Sequence, residues 1–315
     1  MTGEFLGHSK RLILSLLILV YSSTSVFSQD ALSGNINQPK THVVSIAADR
    51  VTVDNVTGFS VNDTILLIQI QGVKILTASN YGTLQDKLGE PGMHEFMIIL
   101  SINVGAKEIV FRNNILKTYD PNGNIQIIRV PYYNSATVTG KLFCDPWDPV
   151  TKTGGVLALI VARTLILNAD IDVSALGFKG GQDATGAGIC WNTDPVNYGK
   201  EYYDGSFTNA GFKGEGVGNY SSELNLPLGF NYLKGLGNNW TGGGGGNGRY
   251  SGGGGGSNRG AGGLGGLEDC FPPLPGGNGG IKADHPSLVD RIYMGGGGGA
   301  STRAAAGSSA NGGNG

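Results

Sequence analysis

The chain has 315 residues and a formal net charge of −2, so it has no basic field that would suit nucleic acid. Glycine is the unusual component, with 56 residues, or about 18%, compared with about 7% in ordinary proteins. Beyond the N-terminal segment, no stretch of sequence is apolar enough to span a bilayer.

The N-terminal residues have the pattern of a secretory signal peptide. Lys10 and Arg11 precede an apolar run at 12–20, and a short polar stretch follows that ends at Ser28. Because a membrane span takes about 20 apolar residues, this pattern favours a cleaved signal over an anchor. We therefore predict a signal peptide at residues 1–28, a secreted or outer-surface location, and membrane contact only through that peptide.

Residues 29–143 read as a small β-domain. Short segments rich in β-branched residues alternate with Gly, Asn, Asp and Pro turns, and no stretch after the signal has helical periodicity. The predicted strands are 43–46, 51–53, 65–70, 96–102, 108–111, 125–130 and 136–140. This pattern predicts an all-β fold that begins with a small barrel or a compact sandwich.

Residues 144–178 read as a linker followed by the start of a β-helix-like segment. Cys144 to Pro149 is linker-like, and predicted strands follow at 156–161, 164–167 and 170–173. Strands this short and this closely spaced are typical of the rungs of a parallel β-helix.

Residues 179–315 form a glycine-rich region with three runs of five glycines, at 242–246, 252–256 and 295–299. One interpretation is a flexible linker or tail. The other is an ordered, polyglycine-II-like layer of threefold extended helices, which can lie very close together because they lack side chains. Residues that can pack interrupt the runs and favour the ordered layer. A short strand is predicted at 291–294, and we expect the region to be truncated, because 311–315 ends within the pattern.

A layer without side chains leaves contact with a ligand to its loops. Aromatic rings stack on sugars, and aromatic and polar side chains are typical of binding surfaces. The alternative is that each ring packs against glycine backbone. The candidate ligand-binding residues are Tyr198, Tyr220, Tyr232, Trp240 and Tyr250.

No motif predicts catalysis, a cofactor or a metal site. The segment at 211–216 resembles phosphate-binding loops only superficially, since its glycine spacing is wrong. Asp170 and Asp172 share a strand face and could serve glycosidic chemistry, but solvated positions flanking a buried Ile171 are favoured. The turn at 120–124 forms without calcium.

Three cysteines remain in the predicted exported chain: Cys144, Cys190 and Cys270. Disulfides are permitted outside the cytoplasm, so one pair can be bridged and one thiol is left over. The sequence does not decide which pair is bridged.

Four segments carry a resemblance to a known family. They are 58–72 (GFSVNDTILLIQIQG), 130–142 (VPYYNSATVTGKL), 154–181 (GGVLALIVARTLILNADIDVSALGFKGG) and 291–299 (RIYMGGGGG). Together they resemble the N-terminal region of large Bacteroidetes surface proteins, which are gliding-motility-associated or adhesin-like and bear a type IX secretion sorting domain. The resemblance implies a place on the cell surface and carries over no catalytic residue. As physical analogy only, the glycine runs are also similar to phage tail-fibre polyglycine sandwiches and to the glycine-rich region of anaplastic lymphoma kinase receptors.

The expected function is a structural or adhesive module, not an enzyme. It would bind an extracellular glycan or a surface protein through the loops of a rigid glycine-rich scaffold, with no cofactor and no nucleic acid. The alternatives are a polysaccharide-active β-helix enzyme and an inert surface spacer.

Overall fold

The computed structural model describes residues 29–76, 84–185, 190, 201–202, 210–221, 234–283, 291–303 and 311–315. The predicted all-β class is confirmed, since these residues are built from strands and extended segments with a single turn of 3-10 helix at Pro121–Gly123. Among them, no helix is long and apolar enough to cross a membrane. The predicted signal peptide lies outside the described residues.

The strands are short and follow one another through tight turns. In chain order, the described residues form β1 (Asp30–Asn35), β2 (Lys40–Ile46), β3 (Arg50–Val53), β4 (Thr64–Gln69), β5 (Val73–Ile75), β6 (Leu84–Lys87), β7 (His94–Asn103), β8 (Glu108–Phe111), β9 (Ile125–Arg129), β10 (Tyr132–Tyr133), β11 (Ala136–Phe143), β12 (Ile160–Val161), β13 (Leu165–Leu167), β14 (Ala184–Thr185), β15 (Gly218–Ser221) and β16 (Thr302–Arg303).

Six strands close into an antiparallel barrel in the order β2-β3-β8-β7-β4-β9. Alternate residues point inward, as the period of two along a strand requires. The interior is filled by β-branched and aromatic side chains, among them Val43, Val51, Ile65, Ile99 and Phe111, none more than 1% exposed. The barrel interior is therefore a packed hydrophobic core.

Strand β4 is buried on both faces, which explains why its sequence is a continuous apolar run. Ile65 and Leu67 point into the barrel. Leu66 and Ile68 point outward and belong to a second hydrophobic core, which includes Trp147. This second core joins the barrel to the glycine-rich region. A strand that is apolar on both faces indicates a layer on each side.

A stack of parallel strands stands beside the barrel. Strand β11 lies between β1 and β13, and β10 pairs with β12. Ala136 pairs with Leu165 and Leu142 with Ile171, so one turn of the stack takes 29 residues (165 minus 136, and 171 minus 142). The stack begins before residue 144, because β1, β10 and β11 all belong to it.

Eight of the ten strands predicted within 29–178 coincide with barrel strands, β11 or β13 within a few residues, and the other two are shorter than predicted. The segment predicted at 156–161 is a strand only at β12, and the one at 170–173 contributes a single bridge at Ile171. Residues 291–294 are not a strand. Ile292 donates its N–H to Gly92 O at 3.0 Å, and the segment is extended but unpaired with any ladder.

The glycine-rich segments are joined by main-chain hydrogen bonds that recur every three residues. Gly243 donates to Gly297 O at 2.9 Å, and Gly246 donates to Ala300 O at 2.8 Å. The same interval links Gly277 to Gly252 O and Gly280 to Gly255 O, both at 2.9 Å. In a helix with three residues per turn, positions i and i+3 face the same neighbour. We call these segments, at 177–181, 211–216, 242–246, 252–257, 260–267, 276–281, 295–300 and 311–315, the glycine bundle.

Close approach of the backbones requires glycine in the interior of the glycine bundle. A Cβ added at Gly299 would overlap with the carbonyl group of Gly244, and one added at Gly214 would overlap with that of Gly297. Main-chain atoms cannot move aside without breaking their own hydrogen bonds. At these positions the absence of a side chain is therefore a condition of the packing.

Candidate functional site

Two loops meet at one end of the glycine bundle and expose aromatic rings. The first is the turn at 247–251 between two glycine runs, and the second carries Asp269 and Phe271. Asp269 donates its N–H to Arg249 O at 2.8 Å, and the Arg249 guanidinium lies 3.8 Å from the Asp269 carboxylate. Tyr250 is 48% exposed and Phe271 is 93% exposed. We call Arg249, Tyr250, Asp269 and Phe271 the loop cluster.

Arg249 and Tyr250 form the polar and aromatic part of the loop cluster. The guanidinium carbon lies 5.6 Å from the centre of the Tyr250 ring, within the range of a cation–π contact. This contact holds the ring beside a positive charge at the surface. A ring face next to several N–H donors is the combination that contacts a sugar or a polar peptide.

The turn that carries Tyr250 is fixed from below by buried polar groups. Gly248 and Tyr250 both have positive φ, at 79° and 55°. The Thr302 hydroxyl, which is buried, accepts the Ser251 N–H at 3.1 Å and donates to Gly248 O. A turn held in this way presents its exposed ring with little conformational freedom, which lowers the entropic cost of binding.

A disulfide fixes the second loop. Cys190 and Cys270 are bridged, with their Cα atoms 5.9 Å apart, and Cys144 is a buried free thiol. This settles the pairing that the sequence left open. Because Cys270 lies between Asp269 and Phe271, the bridge anchors the loop cluster directly.

The structure places the five predicted ligand-binding residues in different environments. Tyr250 lies in the loop cluster, and Tyr198 and Tyr232 lie outside the described residues. Tyr220 is half-buried on β15, opposite Lys74 of β5. Trp240 is only 2% exposed and packs edge-on against Tyr293, with ring centres 6.3 Å apart, so it is a core residue rather than a contact residue.

Sequence reasoning missed Phe271, Arg249 and Asp269 as site residues. Arg249 and Asp269 lie twenty positions apart, and no spacing rule brings them together. The available signal was Cys270, since a bridged cysteine would hold its neighbours in place at the surface.

The segment at 211–216 has a structural role that its sequence conceals. Lys213 is fully buried and donates to the carbonyl oxygens of Glu201 and Gly237, and desolvation lowers its pKa well below the ordinary value. The Glu215 carboxylate accepts Trp147 Nε1–H at 2.8 Å, Gln71 Nε2–H at 3.3 Å and the Lys179 N–H at 3.2 Å. Its burial raises its pKa to about 7. Glu215 thus links Gln71, which follows barrel strand β4, and Trp147, on the connection between β11 and β12, to the glycine bundle.

The two carboxylates considered for glycosidic chemistry flank Ile171, which is 40% exposed, so the prediction that it is buried is wrong. Asp172 pairs with Lys141 at 2.7 Å and accepts the Ser174 N–H at 2.9 Å, and these contacts hold its pKa below the usual value. A glycosidase acid needs a raised pKa so that it can carry a proton at neutral pH. The pKa of Asp172 is shifted in the direction opposite to the one that such an acid needs.

The chain matches no protein-family model and no curated protein. Among solved structures, it is similar to the tailspike protein gp49 from Pseudomonas phage LKA1 over 38% of this chain and 21% of that chain. The sequence identity is 12% and the TM-score is 0.21. A TM-score this low carries no argument about function.

Proposed function

We propose that the chain is a non-catalytic structural and adhesive module of an exported surface protein, which binds an extracellular glycan or a surface protein through the loop cluster. The observation that carries the proposal is the exposure of Tyr250 and Phe271 on loops fixed by Thr302 and by the Cys190–Cys270 bridge. Exposed aromatic rings on loops that are held in place are typical of binding surfaces, because they supply contact area at little cost in conformational entropy.

The glycine bundle supports the proposal as a scaffold. Its segments are joined by main-chain bonds in several directions, such as Gly254 to Gly244 O and Gly299 to Gly254 O, both at 2.8 Å. We propose that it forms the rigid polyglycine-II-like layer that the composition predicts. Such a layer has no side-chain chemistry of its own, so recognition falls to its loops.

Export is part of the proposal. The signal-like residues 1–28 and the resemblance to large Bacteroidetes surface proteins of the type IX secretion class support it, and a bridged cysteine pair suits an oxidising compartment.

The test is binding of the chain to an array of bacterial and host glycans and to immobilised surface proteins. We expect the double variant Tyr250→Ala, Phe271→Ala to bind at least about tenfold more weakly to any ligand found, because aromatic anchors dominate such contacts. The matched control is Leu264→Ala, which removes an exposed apolar side chain of the glycine bundle outside the loop cluster. Equal loss in the control, or undiminished binding by the double variant, would contradict the proposal.

A further inference from the structure

The segment at 295–300 lies at the centre of the glycine bundle and is bonded to five neighbouring segments. It donates to 212–215, to 254–257 and to Gly313, and it accepts from 178–181 and from 242–246. Parallel rods of equal width pack with six neighbours, so the described residues leave one position beside this segment unfilled. We call it the vacant position.

Hydrogen bonds between the neighbours fix the order of the five segments around the centre. Segment 178–181 is bonded to both 312–315 and 212–215, and 242–246 is bonded to both 211–214 and 254–257. The order is therefore 311–315, 178–181, 212–215, 242–246, 254–257, and the vacant position lies between the last and the first. Around the ring, neighbours that accept an N–H from the centre alternate with neighbours that donate one. The sixth neighbour would have to be a donor.

The central segment has acceptors ready for that donor. Its carbonyl groups at 295, 297, 298 and 300 accept main-chain N–H groups, whereas no N–H of the described residues reaches the oxygens of Gly296 and Gly299. These two residues are three apart and so face one direction. A Cβ added at Gly256 would overlap with Gly296 O, and one at Gly253 with Gly299 O, so among the described residues those oxygens are approached by Cα–H groups and not by N–H groups.

The adjacent wall has unused donors at the same interval. In segment 252–257, the N–H groups of residues 252, 254, 255 and 257 are bonded, but those of Gly253 and Gly256 find no acceptor among the described residues. A chain in the vacant position would thus receive two N–H groups from this wall and donate two to the central segment.

An open groove of about 450 Å³ lies at this position. Its walls are residues 255–258 and 313–315, and its floor includes Gly295, Gly296 and Gly298. Gly295 and Gly298 are half exposed, whereas 296, 297, 299 and 300 are buried. The central segment is therefore covered on every side except the one that faces the groove.

We infer that this groove binds an extended, threefold glycine-rich segment of a second polypeptide, which completes the ring of six around residues 295–300. Only an extended chain with three residues per turn matches acceptors and donors repeated every three residues. The partner needs free N–H groups, which excludes a proline-only segment. It needs glycine where it faces the floor, since a side chain there would hold the backbones apart. This surface is separate from the loop cluster, and the inference does not depend on the proposed function.

The test is fluorescence anisotropy with the intact chain and a fluorescein-labelled peptide of Gly-Gly-Asn repeats, about twelve residues long. We expect saturable binding, and at least about tenfold weaker binding when every glycine of the peptide is replaced by N-methylglycine, which removes the N–H groups. Failure of the glycine peptide to bind, or equal binding of the N-methylated peptide, would overturn the inference.

A matched pair of variants places the binding in the groove. A Cβ at Gly298 meets nothing closer than 3.5 Å, so Gly298→Ala leaves the bundle intact while adding a methyl group between the walls. We expect it to weaken peptide binding at least about tenfold. At Gly263, on another segment, an added Cβ meets nothing within 4 Å, and Gly263→Ala is expected to bind normally. Unchanged binding by Gly298→Ala would overturn the inference.

Two further measurements complete the experiment. Thermal unfolding shows whether each variant is folded, and Gly313→Ala, on the opposite wall where an added Cβ meets nothing within 4 Å, replaces Gly298→Ala if that variant is not. Sedimentation of the chain alone tests the rival occupant. Self-association that Gly298→Ala abolishes would place a second copy in the groove and overturn the assignment to a different polypeptide.

Discussion

Glu215 is an acidic side chain enclosed by the barrel, the parallel stack and the glycine bundle. Desolvation disfavours its charged form and raises its pKa to about 7, although Trp147, Lys179 N–H and Gln71 all donate hydrogen bonds that oppose the shift. In the unfolded chain the group has its ordinary value near 4.5. At a pH between these two pKa values, the folded state holds a proton on Glu215 that the unfolded state has lost. The stabilisation is complete below the unfolded pKa and is lost as the pH rises through the folded one.

We therefore expect the free energy of unfolding to fall by about 2 kcal/mol between roughly pH 5 and pH 8 through this group alone. Glu215→Gln keeps a neutral acceptor for Trp147 and should flatten that part of the profile. Urea unfolding of both proteins across this range measures the difference. The control is Glu108→Gln, which changes a half-buried carboxylate paired with Arg50. A Glu215→Gln profile parallel to that of the unchanged protein would contradict the assignment.

At the scale of elements, the glycine segments differ in which of their positions need glycine. In the glycine bundle, some residues face neighbouring backbones and others face open space. Gly299 faces the carbonyl group of Gly244, whereas Gly263 faces no atom within 4 Å. Both residues lie in glycine-rich sequence, and the packing of the folded chain distinguishes them.

We expect Gly299→Ala to lower the free energy of unfolding by at least about 1–3 kcal/mol, because its methyl group forces apart the hydrogen-bonded segments that contain Gly299 and Gly244. Gly263→Ala should be neutral or should stabilise by up to about 1 kcal/mol, since it restricts the unfolded chain. Denaturant unfolding of the two variants side by side measures both effects. Similar values for the two substitutions would show that the segments are not packed as described.

At the scale of the whole molecule, the Cys190–Cys270 bridge ties two distant parts of the glycine-rich region together. The sequence separation is 80 residues, and closing a loop of that length removes much entropy from the unfolded chain. Cys144 takes no part, because it is buried in the core beside the parallel stack and burial raises the pKa of its thiol to about 11.

We expect the double variant Cys190→Ser, Cys270→Ser to be about 4 kcal/mol less stable than the oxidised protein. Guanidinium unfolding with and without a reductant measures this loss, and the reductant should have no effect on the double variant. Cys144→Ser is the matched control for loss of a thiol without loss of a bridge. A reductant effect of equal size in the double variant would place the stabilising bridge elsewhere.

Local patterning predicted the strands of the barrel, whereas their closure into a barrel rather than a sandwich came from the tertiary structure. The alternation of Val51 and Val53, the turn before Ile65 and the β-branched run at 125–130 each specify a strand from a few neighbouring residues, so the predicted strands lie close to the observed ones. The strands predicted at 156–161, 170–173 and 291–294 were less accurate. An extended stretch becomes a strand only if a partner lies beside it, and local sequence does not specify the partner.

The sequence by itself determined, through its strand and turn patterning, that the chain is all-β, and its composition showed that it is rich in glycine that must either pack closely or stay unfolded. Only the tertiary structure decided which cysteines are bridged, that Trp240 is buried while Phe271 is exposed, and that Arg249 meets Asp269. The physical reason is range. Strand patterning and glycine content act through neighbours in sequence, whereas the bridge, the loop cluster and the groove depend on which segments pack side by side. A glycine run carries no side chains to encode that choice, so its partners are set by the hydrogen bonds of the assembled bundle.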